Sequence, residues 1–285
     1  MSNLPLKVIS CPAELRQQVA AERRAGKVIG VVPTMGALHA GHVSLANEST
    51  KQCDFTVATI FVNPTQFAAG EDLEKYPRTM EADCSHLEAA GVDLVFVPEA
   101  EVMYPAGYST AVQPPDLAKT LEGEFRPTHF QGVCTIVLKL LNLVGPDKAF
   151  FGQKDYQQLA VIRKMVIDLN VPVDIVSCPT VRDPDGLALS SRNCYLDDEQ
   201  RQIALSLNKT LEFVQQQVAS GQHDTFELVA EMRQRLIDAG VDSIDYAAIV
   251  DPETLQVPES IDGSAVALIA AHVGSTRLID NRLID

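Results

Sequence analysis

The sequence predicts an α/β protein, in which a parallel sheet wrapped by crossover helices is followed by a smaller α+β unit. Over about the first 180 residues, short apolar runs alternate with stretches of helical period, the pattern of strands joined through helices. Beyond Pro179 that grammar stops, and two long amphipathic stretches precede three apolar runs with little helix between them. A chain of 285 residues also exceeds what one hydrophobic core usually serves, so one large or two unequal domains are expected.

Each element has its own signal. Residues 13–26, AELRQQVAAERRAG, read as a helix closed by Gly26, and 28–32 as the first strand. A helix over 42–52 then leads to the second strand at 55–62. Residues 78–91 form a helix stopped by Gly91, with the third strand at 92–97. GVCTIVLKLLNLVG (132–145) is strongly apolar, so it is expected to be a buried helix. KAFFG (148–152) is the fourth strand, 155–169 a helix, and VDIVSC (173–178) the fifth strand. In the last third, helices are predicted over 197–221 and 224–240. The second opens on Asp224 with Glu227 three residues on, the spacing of a capping box. Strands are expected at 244–250, 265–274 and 276–280. The expected division is a Rossmann-like domain over 1–181 and a small α+β lid domain over 182–285, hinged near 181–185.

Composition narrows the class. The formal charge of −15 repels nucleic acid and anionic lipid, so an anionic substrate needs a local positive pocket. Six scattered cysteines without a CxxC pair read as reduced thiols of a cytoplasmic protein, not as a disulfide frame or a zinc site. The N-terminus lacks the pattern of a secretory signal, and no apolar run approaches the ~20 residues that span a bilayer.

In an open parallel sheet, ligands bind beyond the carboxyl ends of the strands, so the residues after each strand test for function. Strand one is followed by PTMGALHAGH, with His39 and His42 around Gly41 at a helix start. Glycine lets backbone approach a ligand, the helix aims its positive end there, and two imidazoles can donate to phosphate oxygens. Either ring could be cationic near neutral pH. Metal sharing by the pair lacks a third ligand at suitable spacing, and a single turn-capping histidine would be the plain structural role. Strand two is followed by NPTQF, where Asn63 and Gln66 offer amides for a carboxylate or hydroxyl, although Asn-Pro is also an ordinary turn. GQKDYQQ places Lys154 and Asp155 where strand four opens into a helix, with Gln157 and Gln158 in its first turn. The last cluster, LALSSRN, adds Ser190, Ser191 and the guanidinium fork of Arg192, suited to a polyphosphate.

Taken in order, PTMGALHAGH, FVNPTQF, YPRT, RPTHFQGV, FGQKDYQQLA, DGLALSSRN and the terminal RLIDN resemble the blocks of the pantoate–β-alanine ligase family of coenzyme A precursor biosynthesis. HxGH alone marks only the wider nucleotidyltransferase superfamily, whereas the ordered set is specific and spans nearly the whole chain. Gln153 departs from the commoner FGEKD pattern, without an expected effect on activity.

The resemblance implies two half-reactions, in which ATP and pantoate give a pantoyl adenylate and pyrophosphate, and β-alanine then displaces AMP. It implies an ATP site along Met35, Gly36, Ala37, Leu38, His39, Ala40, Gly41 and His42, continued by Gly152, Gln153, Lys154 and Asp155. Val181, Leu189, Ser190, Ser191 and Arg192 complete it. Pantoate is assigned to Gln66 and Gln158, β-alanine to Gln66, and catalysis to His42 with His39 and Lys154. Mg²⁺ is expected to arrive on the ATP phosphates, with Asp83 or Asp155 as conceivable aids, and Arg126 and His129 line the pantoate side or serve their loop. A cytoplasmic homodimer is the family expectation. The competing readings are a nucleotidyltransferase acting on a phosphorylated alcohol, which needs a cationic acceptor site, and a nucleotide-binding regulator without turnover.

Overall fold

The computed structural model describes residues 6–68 and 70–284. Its elements run β1 (Lys7–Ile9), α1 (Pro12–Arg24), β2 (Ile29–Thr34), α2 (Ala40–Gln52), β3 (Phe55–Ile60), α3 (Met80–Ala89), β4 (Leu94–Phe96), α4 (Ala100–Met103) and α5 (Glu122–Phe125). They continue with α6 (His129–Val144), β5 (Lys148–Gly152), α7 (Tyr156–Asp168), β6 (Asp174–Cys178), α8 (Asp198–Ala219), α9 (Thr225–Asp238), β7 (Ser243–Val250), β8 (Ala265–Val273) and β9 (Thr276–Ile284).

Among the described residues six strands, not the five expected, make the parallel sheet, in the order β1-β4-β3-β2-β5-β6. The extra strand, β1, is three residues at the sheet edge with two side chains exposed, too short for a periodic signal. Sheet faces follow from strand alternation. Val31, Val57, Ala149 and Phe151 pack with α1, α6 and α7, whereas Ala58 and Ile60 pack against α2 and α3. As its composition predicts, α6 is largely buried, and it ends on Gly145 in the left-handed conformation at φ +58°. The connection order reverses between β2 and β5, which makes their carboxyl ends the crevice where ligands bind in such sheets.

The last third forms an antiparallel sheet, β7-β8-β9. Apart from His272, β8 is apolar because both its faces are covered. Ala265, Ala267, Ile269, Ala271 and Val273 join the core with α8 and α9, while Val266, Leu268 and Ala270 meet Leu121, Tyr156 and Ala160 from the first part of the chain. Fully burying each such Leu, Ile or Val contributes about 1.5–3 kcal/mol. The expected capping box at α9 forms by half: Asp224 accepts the Glu227 amide at 2.9 Å, but Glu227 turns to Gln222. A complete box lies at α8, between Asp197 and Gln200. Among the described residues no helix is long and apolar enough to cross a membrane.

Candidate active site

Four loops at the carboxyl edge of the parallel sheet converge. They are the stretch from β2 to α2, a 3-10 turn Pro64–Gln66 after β3, a 3-10 turn Gln153–Asp155 after β5, and the segment from β6 to the 3-10 turn Ser191–Tyr195. A cavity of about 240 Å³ lies between them, lined by Met35, His39, His42, Gln66, Lys154, Gln158, Ser190 and Arg192 among others. It adjoins one of about 1040 Å³ toward the antiparallel sheet, and both are lined by Lys154, Asp155, Gln158, Ser190 and Arg192.

The histidine loop is shaped by two unusual backbone positions and one carboxylate. Gly36 has φ +85° and Ala37 φ +51°, the second of which a residue with a Cβ rarely adopts. Buried Asp83 holds the loop there, accepting the amides of Ala37 at 3.0 Å and Leu38 at 2.8 Å and the Thr79 hydroxyl at 3.0 Å. Asp83 is thus a loop clamp, buried and lining neither cavity, so it is not placed to aid Mg²⁺ on a bound nucleotide. Gly36, Ala37, Leu38 and Ala40 do not line either cavity; Leu38 is buried beneath α2 and α3.

His39 is the N-cap of α2. Its Nδ1 accepts the Gly41 amide at 3.1 Å, and the Nδ1 of His42 accepts the His39 amide at 3.4 Å, a capping box built from two imidazoles. Gly41 is required by the first ring, since a Cβ there would come within 2.8 Å of it. Burial, and then the Lys154 ammonium, lowers the His39 pKa to about 4. Burial, then His39 and Lys154, lowers that of His42 to about 3. Both rings are therefore neutral near pH 7, which corrects the expectation of a cationic imidazole there. With each Nδ1 accepting a backbone amide, each proton resides on Nε2. The pair offers preorganised N–H donors.

Around them the polar residues divide. Gln66 extends from a turn held by Asn63, whose own amide is consumed internally. Its oxygen accepts from Thr65 and from Tyr104 Oη at 2.7 Å, and its nitrogen donates to Gln66 Oε1 and the Gly132 carbonyl. Asn63 is a scaffold, as the ordinary Asn-Pro turn reading has it, and not a ligand amide. Gln157 is likewise consumed, donating to the Leu117 and Thr120 carbonyls and accepting the Glu122 amide, while its neighbour Gln158 lines both cavities. Arg126 and His129 approach Gln66 from behind, at 3.3 and 3.0 Å from its backbone carbonyl, and Arg126 forms a bidentate pair with Glu71. The Arg192 fork, expected to face phosphate, is bidentate to Asp72 at 2.9 and 3.0 Å. Gln153 lines neither cavity.

Sequence reasoning missed the apolar wall. Phe61, Val133, Ile136, Val137, Leu140 and Phe151 close the small cavity beside Gln66 and Gln158. The 133/137/140 spacing on α6 was visible, but it reads equally as plain core.

A family profile described as pantoate-beta-alanine ligase matches residues 7–283. The chain belongs to that family. Within the ligase family, pantothenate synthetase 1 of Bradyrhizobium diazoefficiens is 52% identical over 277 residues, covering 97% of each chain. The crystal structure of pantothenate synthetase from Thermus thermophilus superposes with a TM-score of 0.92 at 44% identity, covering 97% of this chain and 99% of that one. The pantoate-beta-alanine ligase of Francisella tularensis, solved in complex with beta-gamma ATP and beta-alanine, superposes with a TM-score of 0.82 at 33% identity, covering 98% and 97%. The ligase family thus shares the α/β architecture with its small antiparallel sheet, over essentially the whole chain.

Proposed function

We propose that the chain condenses pantoate with β-alanine at the expense of ATP, through a bound pantoyl adenylate, releasing pyrophosphate and AMP. The observation that carries this is the pair of neutral imidazoles, His39 and His42, beside Lys154 at the crevice between β2 and β5, facing an apolar pocket that presents Gln66 and Gln158. The complex of the Francisella relative with beta-gamma ATP and beta-alanine supports ATP as co-substrate.

In the first step a pantoate carboxylate oxygen bonds to the α-phosphorus, and the bond from that phosphorus to the bridging oxygen breaks. Negative charge grows on the equatorial oxygens and on departing pyrophosphate. The Nε2–H groups of His39 and His42, the Lys154 ammonium and the Ser190 and Ser191 hydroxyls stabilise that charge by hydrogen bonds already oriented. A neutral His42 acts here by donating a hydrogen bond; it becomes a proton donor only as phosphate charge raises its pKa. Gln66 and Gln158 hold pantoate without adding charge, and the α6 wall takes its two methyl groups. In the second step the neutral β-alanine amine adds to the acyl carbon, the bond to AMP breaks, and the nitrogen releases a proton to leave the amide. No side chain of the enzyme becomes covalently attached.

Mg²⁺ would arrive on the phosphates, and Asp155, which lines both cavities, is the carboxylate placed to meet it there. Imidazole N–H, ammonium and hydroxyl donors suit phosphate oxygens, and the Asp83 carboxylate is spent on the loop. Among the described residues no group of three His, Cys, Asp or Glu could hold a metal.

The proposed division is 1–181 and 182–285, with closure shielding the labile adenylate. In support, residues 182–188 make a hairpin that belongs to the second unit. Arg182 pairs with Asp280, Arg201 pairs with Asp183 and Asp185, and Leu187 joins the core of α8 and α9. Any hinge then lies at the start of the expected 181–185 stretch. A cytoplasmic homodimer remains part of this proposal, supported by free cysteines and the family resemblance.

The test is pyrophosphate release from ATP and pantoate in a single turnover. Release that requires pantoate but not β-alanine supports the reading, and its absence from folded protein overturns it. The phosphorylated-alcohol alternative is disfavoured because Arg126 and Arg192, the guanidinium groups at the cavity, are both already paired with carboxylates.

A further inference from the structure

The terminal RLIDN block lies more than 120 residues from every loop that carries the phosphate donors except 181–192, yet its asparagine reaches the lysine turn. Asn281, buried on β9, donates its side-chain Nδ2 to the backbone carbonyls of Gln153 at 2.9 Å and Lys154 at 2.7 Å. Both carbonyls belong to the 3-10 turn that sets where the Lys154 side chain starts. Beyond the pairing of Gly152 with Cys178, no side chain of the turn's own anchors it among the described residues. It begins after Gly152, which has no side chain, and Asp155, the N-cap of α7, makes no side-chain capping bond.

Asn281 is itself held firmly. Its strand pairs in register with β8, Leu268 against Asn281. Its amide donates to Asp280 Oδ1 at 2.8 Å, and Asp280, buried, takes the Arg182 fork at 2.7 and 2.9 Å. Arg182 also donates to the Asn281 carbonyl at 3.3 Å and to that of Gly186 at 3.1 Å. Arg182 immediately follows Val181, on the segment that leads to Ser190 and Ser191. One buried cluster therefore ties the lysine turn to the serine loop.

We propose that Asn281 is a positioning residue for Lys154, setting the reach of its ammonium toward the nucleotide phosphates through the backbone of residues 153 and 154. The inference rests on the reading of Lys154 as a phosphate donor. A lysine side chain is flexible, so its useful position in the reacting complex is set chiefly by where its Cα is fixed.

The experiment is a double-mutant cycle of Asn281→Ala with Lys154→Ala, read by single-turnover pyrophosphate release and by affinity for α,β-methylene-ATP. In the Lys154 background Asn281→Ala is expected to slow adenylation by about 10- to 100-fold, the order that a misplacement of about 1 Å costs. With Lys154→Ala present, the same change should alter rate and affinity by less than about twofold. Aminolysis of separately supplied pantoyl adenylate by β-alanine should be unchanged, where a general structural lesion would slow both half-reactions. Asn281→Leu retains the side-chain volume and takes the place of the alanine variant if that one melts early. Equal losses in both backgrounds, or equal slowing of both half-reactions, overturn the inference while leaving the role of Lys154 standing. If Lys154→Ala itself leaves analogue affinity and adenylation unchanged, the phosphate reading falls and the inference with it.

Discussion

His39 and His42 lock each other across the first turn of α2, the Nδ1 of His42 taking the His39 amide while the Nδ1 of His39 takes that of Gly41. Each ring thus has two jobs, one at the helix end and one in the cavity, and substitutions can separate them. His39→Asn keeps a side chain that caps well and removes the Nε2 donor, so the thermal midpoint should hold while adenylation slows. His39→Ala loses both, with about 0.5–2 kcal/mol of stability. For His42→Ala the expected loss in adenylation is about 10²- to 10³-fold, the usual cost of one preorganised donor. Thermal melts beside single-turnover rates check all three; a His39→Asn protein with full activity would remove His39 from the phosphate site.

The same burial makes stability fall on the acid side. An unfolded histidine titrates near 6.5, whereas folded His42 and His39 titrate at about 3 and about 4. Buried His129, with Arg126 beside it, is also lowered to about 4. Between those values the unfolded chain binds more protons, so stability declines as pH drops below about 6.5 and levels off only near the folded values. Urea midpoints measured from pH 7 to 4.5 should fall, and His129→Asn should flatten the slope. An unchanged slope in that variant would mean that His129 is not held neutral.

The fold class, the helices of the parallel sheet and the crowding of HxGH, NPTQF, QKD and SSR at one edge were all legible, because each rests on local period or on the residues just past a strand end. The features that escaped depend on long separations. Asp83 reads as a conceivable aid to Mg²⁺ until its contacts with the Ala37 and Leu38 amides are known. Gln157 and Gln158 are indistinguishable in sequence, yet one residue of helical rotation turns the first to the Leu117 and Thr120 carbonyls and the second to the cavity. Arg192 looked like a free fork because its partner, Asp72, is 120 residues away. Three-residue β1 carried no period at all.

Gly132 shows how tightly α6 braces the pantoate side. A Cβ at this position would lie against the Thr65 carbonyl and 2.7 Å from Gln66 Cα. Gly132→Ala should therefore displace the turn Pro64–Gln66, costing about 1–3 kcal/mol as overpacking does. It should also raise KM for pantoate more than KM for ATP. If both constants rise alike, the turn is not what the glycine protects.

The pair between Asp72 and Arg192 predicts a gain of affinity on mutation. For Arg192 to take a phosphate its fork must leave Asp72, so that carboxylate competes with the nucleotide from within the chain. The pair is partly exposed and contributes only about 0–1 kcal/mol to stability. Asp72→Asn should then bind ATP up to about fivefold more tightly, with little change in the thermal midpoint. Calorimetric titration with α,β-methylene-ATP decides it, and weaker binding would show that Asp72 assists the nucleotide.

Glu122 and Arg277 make the buried ion pair that joins the first part of the chain to β9. Arg277 donates to the Glu122 carboxylate at 2.7 and 3.0 Å and to Asp245 at 2.7 Å, and the Tyr246 hydroxyl adds 2.9 Å to Glu122. Burial alone would raise the Glu122 pKa, but the hydrogen bonds and charge of Arg277 outweigh it and hold the carboxyl below its ordinary value. A depressed carboxylate stabilises the fold above its unfolded pKa, about 4.3, and that contribution is lost as pH falls through the folded value. Arg277→Met leaves a buried carboxylate without its main partner and should cost about 3–5 kcal/mol near neutral pH. Arg277→Met together with Glu122→Met removes both charges, and most of that loss should return. Urea unfolding of the two single variants and the double variant measures the coupling directly. Additive losses would mean that the pair sits in the wall without holding the sheets together.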